Sequence, residues 1–217
     1  VSRRTATINQ IRAFLIEQGI TVRTGAHALR SSLFAILENR KDEISPRMNG
    51  LIIDLSNDWF GLDERIGAIT SEIELIGKSE ENCQRLMSVP GIGPIISTAM
   101  VAAIGTGDAF GRGRDFGAWL GLVPRQYSTG GKTVLGRISK RGSKYLRTLF
   151  IQAAHVILMR PKNWQKFSFG PWLTEAATRL HRNKLATALA NKLARIAWSV
   201  LANQQTFDTN KEEVTAI

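Results

Sequence analysis

The feature that most restricts the fold of this sequence is an apolar repeat that begins at Met48 and ends at Ile76. A repeat of seven residues predicts a long helix with one apolar seam, because a period of 3.5 residues keeps that seam turned toward a partner helix. Two arrangements would bury such a seam, namely a helical hairpin folded within one chain and a coiled coil between two copies. The apolar positions are Met48, Ile52, Leu55, Trp59, Leu62, Ile66, Ile69, Ile73 and Ile76.

The residues before this repeat also have helical spacing. Ile8, Ile11 and Leu15 are separated by three and four residues, and a further apolar stretch runs from Leu29 to Leu37. We therefore predict that residues 1–85 form a helical coiled-coil arm. If the seam pairs between chains, residues 48–76 make the protein a homo-oligomer.

Positive charge is concentrated in the second part of the chain. Of the formal net charge of +11, residues 1–85 contribute −1, residues 86–207 contribute +14 and the last ten residues contribute −2. A segment with 17 basic and 3 acidic side chains is typical of a surface that binds nucleic acid. The predicted organisation is thus an arm (1–85), a basic domain (86–207) and a flexible acidic tail (208–217).

Several other classes of protein are disfavoured by the composition. The longest apolar run, Ile95–Ile104, has ten residues, about half of what a membrane-spanning helix needs. A single cysteine, Cys83, excludes an internal disulfide and a cysteine-built zinc site, and His27, His155 and His181 are scattered. We expect no membrane partner, no signal peptide and a cytoplasmic location.

The basic domain begins with a glycine-containing turn, Pro90 to Pro94, in front of an apolar helix. Gly91 and Gly93 allow a tight turn whose backbone amides point outward at a helix N-terminus, where they suit a phosphate. This pattern is that of a helix-hairpin-helix motif, which holds the nucleic-acid backbone without reading its sequence. The alternative is a plain turn between two packed helices.

A polar, glycine-rich segment follows from Gln126 to Lys132, with two neighbouring hydroxyls at Ser128 and Thr129. We predict a loop there. Basic side chains flank and follow this loop with no acidic residue between them, which predicts contacts with phosphates. The candidate nucleic-acid-binding side chains are Arg125, Lys132, Arg137, Lys140, Arg141, Lys144 and Arg147.

The remainder of the basic domain is also predicted to be helical. Residues 145–159 have the apolar pattern of a buried helix, and residues 172–203 that of one long amphipathic helix. Patterns typical of strands are almost absent. The predicted fold class is therefore all-α.

Three motifs in fixed order resemble a known family. The segments LMSVPGIGPIISTAMVAAIG, DFGAWLGLVPRQYSTGGK and GRISKRGSKYLR resemble the C-terminal half of insertion-sequence 110 family transposases, most closely the insertion-sequence 1111 branch. The resemblance covers about residues 1–205. It implies a DNA recombinase of mobile elements, guided by a structured RNA that pairs with donor and target DNA.

Members of this family combine a RuvC-like nuclease domain with a C-terminal domain that carries a serine nucleophile. The resemblance places that serine in the short loop after the GLVP segment, at Ser128, with Thr129 and Ser139 as the alternatives. A serine that attacks a phosphodiester loses its proton while negative charge grows on the phosphate oxygens, and nearby cations stabilise that charge. Without the resemblance, Ser128 and Thr129 are better explained as turn residues. The cations nearest in sequence are Arg125, Lys132 and Arg137.

The resemblance also sets the expected cofactor and partners. The magnesium-binding acidic quartet of the family belongs to the RuvC-like domain, so we expect no metal in this chain and no DNA cleavage by this chain alone. The expected partners are DNA, a structured guide RNA and a second copy of the chain. The rival interpretation is a non-catalytic helix-hairpin-helix module that only binds nucleic acid, or a decayed transposase remnant.

Overall fold

The computed structural model describes residues 1–208, so the predicted tail lies, from residue 209 onward, outside the described residues. The chain divides into two compact units. The first is Val1–Glu72, and the second begins at Ile73. Helices make up most of the described residues, and a single pair of strands accompanies them there.

The first unit is built from helices that pack around one apolar core. They are α1 (Ser2–Glu17), α2 (Ala26–Asn39) and the larger part of α3 (Pro46–Ser79). The spacing of the apolar residues turns one face of each helix inward, as expected for amphipathic helices. The fully buried side chains of this core include Ile11, Leu15, Leu29, Leu33, Ile52 and Trp59.

The apolar repeat of α3 is used in two different ways along its length. Ile52 and Trp59 are fully buried, and Met48 and Leu55 pack against the same core. Further along, Ile69 is 57% exposed. The first half of the repeat therefore packs against the other helices of the first unit, within one chain. A coiled coil between two copies stays a prediction for the second half.

The second unit is a helical domain with one β-hairpin. Helices α7 (Lys144–Leu158) and α9 (Arg182–Ala202) pack against each other, and α6 (Gly113–Trp119) packs against α9. Buried alanines recur along one face of α9, at Ala186, Ala190 and Ala194, which lets the neighbouring helices approach closely. The elements are α4 (Glu81–Met87), α5 (Pro94–Ile104), α6 (Gly113–Trp119), β1 (Pro124–Thr129), β2 (Lys132–Ile138), α7 (Lys144–Leu158), a 3-10 helix (Pro161–Lys166), α8 (Gly170–Arg179) and α9 (Arg182–Ala202).

Two sequence-based expectations are corrected by this order of elements. The segment predicted as a loop, Gln126 to Lys132, instead forms most of β1, the turn and the first residue of β2, because Gly130 and Gly131 both have positive φ (53° and 79°) and make a two-residue turn. The single helix predicted for residues 172–203 is two helices, because the chain is extended at Leu180. His181 then caps α9 by accepting a hydrogen bond from the backbone N–H of Asn183 (3.3 Å).

The all-α prediction is thus confirmed in its main part, with the β-hairpin as the exception. Among residues 1–208, none of the helices combines the length and the apolar character that crossing a bilayer requires.

Candidate nucleic-acid interface

The candidate nucleophile lies on the β-hairpin, and the pairing of the strands decides which side chains accompany it. Residues directly opposite each other in an antiparallel pair share a face, and successive residues along a strand alternate between faces. Ser128 is paired with Thr133 and Tyr127 with Val134. The serine face consists of Gln126, Ser128, Thr133 and Leu135, and the tyrosine face of Tyr127, Thr129, Lys132 and Val134.

Ser128 is exposed, and another polar side chain orients its hydroxyl. The side-chain amide Nε2 of Gln126 donates a hydrogen bond to Ser128 Oγ (2.8 Å). The pair fits strand geometry, since residues two apart in a strand lie side by side on one face. Gln126 is not among the site residues predicted from the sequence, although its position two residues before Ser128 places both side chains on one face of a strand.

The two alternative nucleophiles have different surroundings. Thr129 lies on the tyrosine face, where it pairs with Lys132 beside the turn. Ser139 follows β2 and takes part in a local turn, because its Oγ accepts a hydrogen bond from the backbone N–H of Arg141 (3.5 Å). Of the three hydroxyls, Ser128 is the one that shares the serine face with Gln126.

The base of the hairpin is held by a close contact between two backbone segments, 119–123 and 139–142. The backbone N–H of Ser139 donates to the carbonyl of Val123 (2.8 Å), and that of Lys140 to the carbonyl of Gly121 (3.1 Å). Gly142 has φ +73°, and a Cβ there would lie 1.7 Å from the carbonyl oxygen of Trp119. Glycine is thus the residue that this approach of two backbones allows.

Arg147 joins helix α7 to both of these segments. Its side chain is buried, with the residue only 8% exposed. The guanidinium Nη1 donates to the carbonyls of Leu120 (2.9 Å) and Arg141 (3.1 Å). From its basic surroundings in the sequence, Arg147 is predicted to contact nucleic acid, whereas in the structure its charged group faces the interior and holds the hairpin base.

The other basic candidates of this region are exposed. The sequence has no acidic residue between Asp115 and Glu175, and among the described residues no ion pair neutralises these cations. Arg125 and Arg137 lie near the hairpin base, where the strand register shifts, and Arg125 Nη2 donates to the carbonyl of Ser139 (3.4 Å). The exposed set is Arg125, Lys132, Arg137, Lys140, Arg141 and Lys144.

The predicted helix-hairpin-helix turn lies between α4 and α5, and its two glycines have different positions. Gly91 has φ +82° and packs against α7, since a Cβ there would lie 3.1 Å from Ile157 Cδ1. Gly93 is the residue that precedes α5, with Pro94 as the first helical residue. Phosphate binding by this turn stays a prediction.

Carboxylates do not gather at any point of the described chain. Within residues 1–208, no group of three or more His, Cys, Asp or Glu side chains is placed so that it could hold a metal ion. On α3, the carboxylate of Asp63 is bonded by Arg4 and by Arg30 Nη1, the latter at 2.9 Å. That the magnesium of the family belongs to another domain stays a prediction.

Comparison of the sequence with known proteins identifies relatives of this chain. Residues 83–168 match the model of the IS116/IS110/IS902 transposase family. Over 208 residues the chain is 40% identical to the transposase for insertion sequence element IS1111A of Coxiella burnetii, covering 95% of this chain and 57% of that protein. It is 41% identical to the transposase for IS1328 of Yersinia enterocolitica over 207 residues, or 95% of this chain and 61% of that protein. Residues 83–168 thus form a domain of the IS116/IS110/IS902 transposase family, and the chain matches the C-terminal part of curated transposases.

Proposed function

We propose that this chain binds DNA and a structured guide RNA as part of a transposase, and that Ser128 is the nucleophile of strand exchange. The observation that carries the proposal is the position of Ser128, exposed on a basic hairpin whose base is held by buried contacts. Family membership supports the reaction class, while the chain spans 57–61% of the length of the relatives above.

The proposed reaction is a transesterification at a DNA phosphodiester. Ser128 Oγ forms a bond to phosphorus, the bond from phosphorus to the leaving deoxyribose oxygen breaks, and the hydroxyl proton passes to an acceptor. Exposed cations of the hairpin region stabilise the charge that grows on the nonbridging oxygens. Gln126 orients Oγ but its amide donates and cannot take a proton. We therefore assign the proton acceptor to another part of the transposase or to the nucleic acid.

The test is to replace Ser128 in a complete transposase, made by joining this chain to the N-terminal part of the IS1328 relative. Ser128→Ala should abolish the covalent protein–DNA adduct and strand exchange while leaving DNA affinity unchanged, because only one alcohol is lost. Ser139→Ala and Thr129→Val are the matched controls and should keep both activities. An adduct that persists in Ser128→Ala and disappears in Ser139→Ala would move the nucleophile to the second position.

The binding part of the proposal has its own test on the chain of 217 residues. Six exposed cations that contact phosphates predict a log–log dependence of the DNA association constant on salt with a slope of about −5. Fluorescence anisotropy with a labelled duplex at increasing potassium chloride measures it. A flat dependence would contradict phosphate-dominated binding.

A non-catalytic binding module is the second candidate function. The environment of Ser128 favours it in one respect, because the side chain that contacts the hydroxyl is an amide and not a base. Both functions need the exposed cations, and only the transposase needs the hydroxyl. The Ser128→Ala experiment therefore separates them.

A further inference from the structure

The β-hairpin, residues 124–138, is exposed on both of its faces. From Pro124 to Arg137 every residue of its two strands is exposed, including Tyr127 (59%), Val134 (50%) and Leu135 (63%). A two-stranded hairpin that packs on nothing is only marginally stable in water. Exposed apolar side chains on such an element therefore indicate a surface that a partner covers.

The positive charge of the hairpin indicates which class of molecule can cover it. Lys132 and Arg137 lie on it, Arg125 lies at its base, and the nearest acidic residues in sequence are Asp115 and Glu175. A second copy of this chain would bring the same positive charges to the same place, which opposes β-pairing between copies. A polyanion has the complementary charge.

The shape of the hairpin selects the kind of polyanion. Its two strands have six and seven residues, and at about 3.3 Å per residue the ribbon extends roughly 20 Å. The turn between the strands consists of Gly130 and Gly131, which have no side chains, so the tip of the ribbon is narrow. The major groove of B-form DNA, about 12 Å wide, admits a two-stranded ribbon. The deep major groove of A-form RNA does not admit side chains.

We infer that the tyrosine face of the hairpin lies in the major groove of duplex DNA. Tyr127 and Val134 then contact base edges, where thymine methyl groups offer apolar surface, and Lys132 reaches a phosphate. The opposite face, with Ser128, is left free for the strand that reacts. This inference rests on the proposed function, since it names the way in which the DNA is held.

Site-specific photocrosslinking on the chain of 217 residues tests which face meets DNA. Benzoylphenylalanine is placed at Val134 on the tyrosine face, at its neighbour Leu135 on the serine face, and at the similarly exposed Val156 on α7. With a mixed-sequence duplex, Val134 should give several-fold more DNA adduct than either control position. An adduct from Leu135 in place of Val134, or equal yields from all three positions, would overturn the inference.

A pair of matched double variants tests the contribution of the apolar contacts. Tyr127→Ser with Val134→Ser should weaken duplex binding about tenfold and leave the salt slope unchanged, because no charge is removed. Tyr145→Ser with Val156→Ser removes the same side chains from α7 and should leave the affinity unchanged. Equal losses in both double variants would contradict a groove contact. Circular dichroism checks that each variant is folded.

The outcomes separate this inference from the proposed function. If the unaltered chain binds DNA with a steep salt slope but shows no preference for Val134, the groove contact is wrong and DNA binding stands. If Val134 crosslinks only to folded RNA, or only to a second copy of the chain, the partner is wrong. If no DNA binding is found at all, the proposed function and the inference both fail.

Discussion

The role of Arg147 gives the sharpest prediction for the basic domain. Arg147→Met keeps the length and apolar stem of the side chain and removes the guanidinium. Two hydrogen bonds are then lost, to the carbonyls of Leu120 and Arg141, and the buried carbonyl of Leu120 loses a charged donor. Removing the guanidinium is therefore expected to loosen the contact between α7 and the base of the hairpin.

The size of the effect follows from these two bonds. Hydrogen bonds to a charged group contribute about 1.5–3 kcal/mol each to stability. Part of that loss is offset, because the variant no longer has the desolvation cost of a buried charge. We expect Arg147→Met to lower the free energy of unfolding by about 2–4 kcal/mol. Arg147→Lys should lose about half as much, since one ammonium replaces one of the two contacts. Lys144→Met, at an exposed neighbouring position, should stay within about 0.5 kcal/mol of the unaltered chain.

Urea unfolding monitored by tryptophan fluorescence measures the stabilities. Hydrogen exchange of the backbone amides of Ser139 and Lys140 reports on the hairpin base directly, and Arg147→Met should accelerate it. At a temperature where both Arg147→Met and the unaltered chain are folded, the dependence of DNA binding on salt should have the same slope for the two proteins. Two results together would refute a structural role for Arg147 and show that it contacts a phosphate. Arg147→Met would unfold at the same urea concentration as the unaltered chain, and the slope of its DNA binding against salt would be smaller in magnitude by about 0.9.

Three further predictions concern other parts of the chain. The double variant Ile66→Asp with Ile73→Asp should dissociate any oligomer, as measured by light scattering, without unfolding the first unit. Trp59→Ala should instead destabilise that unit by about 3–5 kcal/mol in a thermal melt. If light scattering shows the unaltered chain to be a monomer, the predicted association through α3 is wrong. Gly142→Ala should destabilise the second unit by at least about 3 kcal/mol in urea unfolding, because its Cβ would overlap the carbonyl of Trp119; wild-type stability would show that the two segments can separate. Burial raises the pKa of the Cys83 thiol, so labelling of the native protein by a thiol reagent at neutral pH should be slow and should accelerate on unfolding; fast native labelling would contradict its burial.

The helices of both units were predictable because helix formation leaves a local periodic signal. Ile11 and Leu15, or Leu189 and Leu193, are four residues apart and turn the same face inward. The division of the α3 repeat was not predictable from the same signal. Ile52 and Ile69 both belong to the repeat, and only the three-dimensional placement of α1 and α2 decides that the first of them is covered.

The composition of residues 124–138 does not indicate a hairpin, whereas their turn chemistry does. Serine, threonine, glycine and glutamine suggested a polar loop. Yet Gly130 and Gly131 stand between Tyr127 and Val134, and two glycines flanked by aromatic and β-branched residues are a hairpin signal. Once the segment is assigned to a strand, the alternation of faces alone separates Ser128 from Thr129.

Charge located the candidate interface in the sequence but could not assign a role to each cation. Lys144 and Arg147 are one turn apart on α7, and composition treats them alike. Burial separates them, because Lys144 is exposed while the guanidinium of Arg147 satisfies two backbone carbonyls inside the domain. The planar group of arginine, with several donors in a fixed geometry, suits that task better than an ammonium. Arg147 thus stabilises the base of the hairpin through buried hydrogen bonds. The exposed basic side chains around it then lie on a surface whose backbone is fixed.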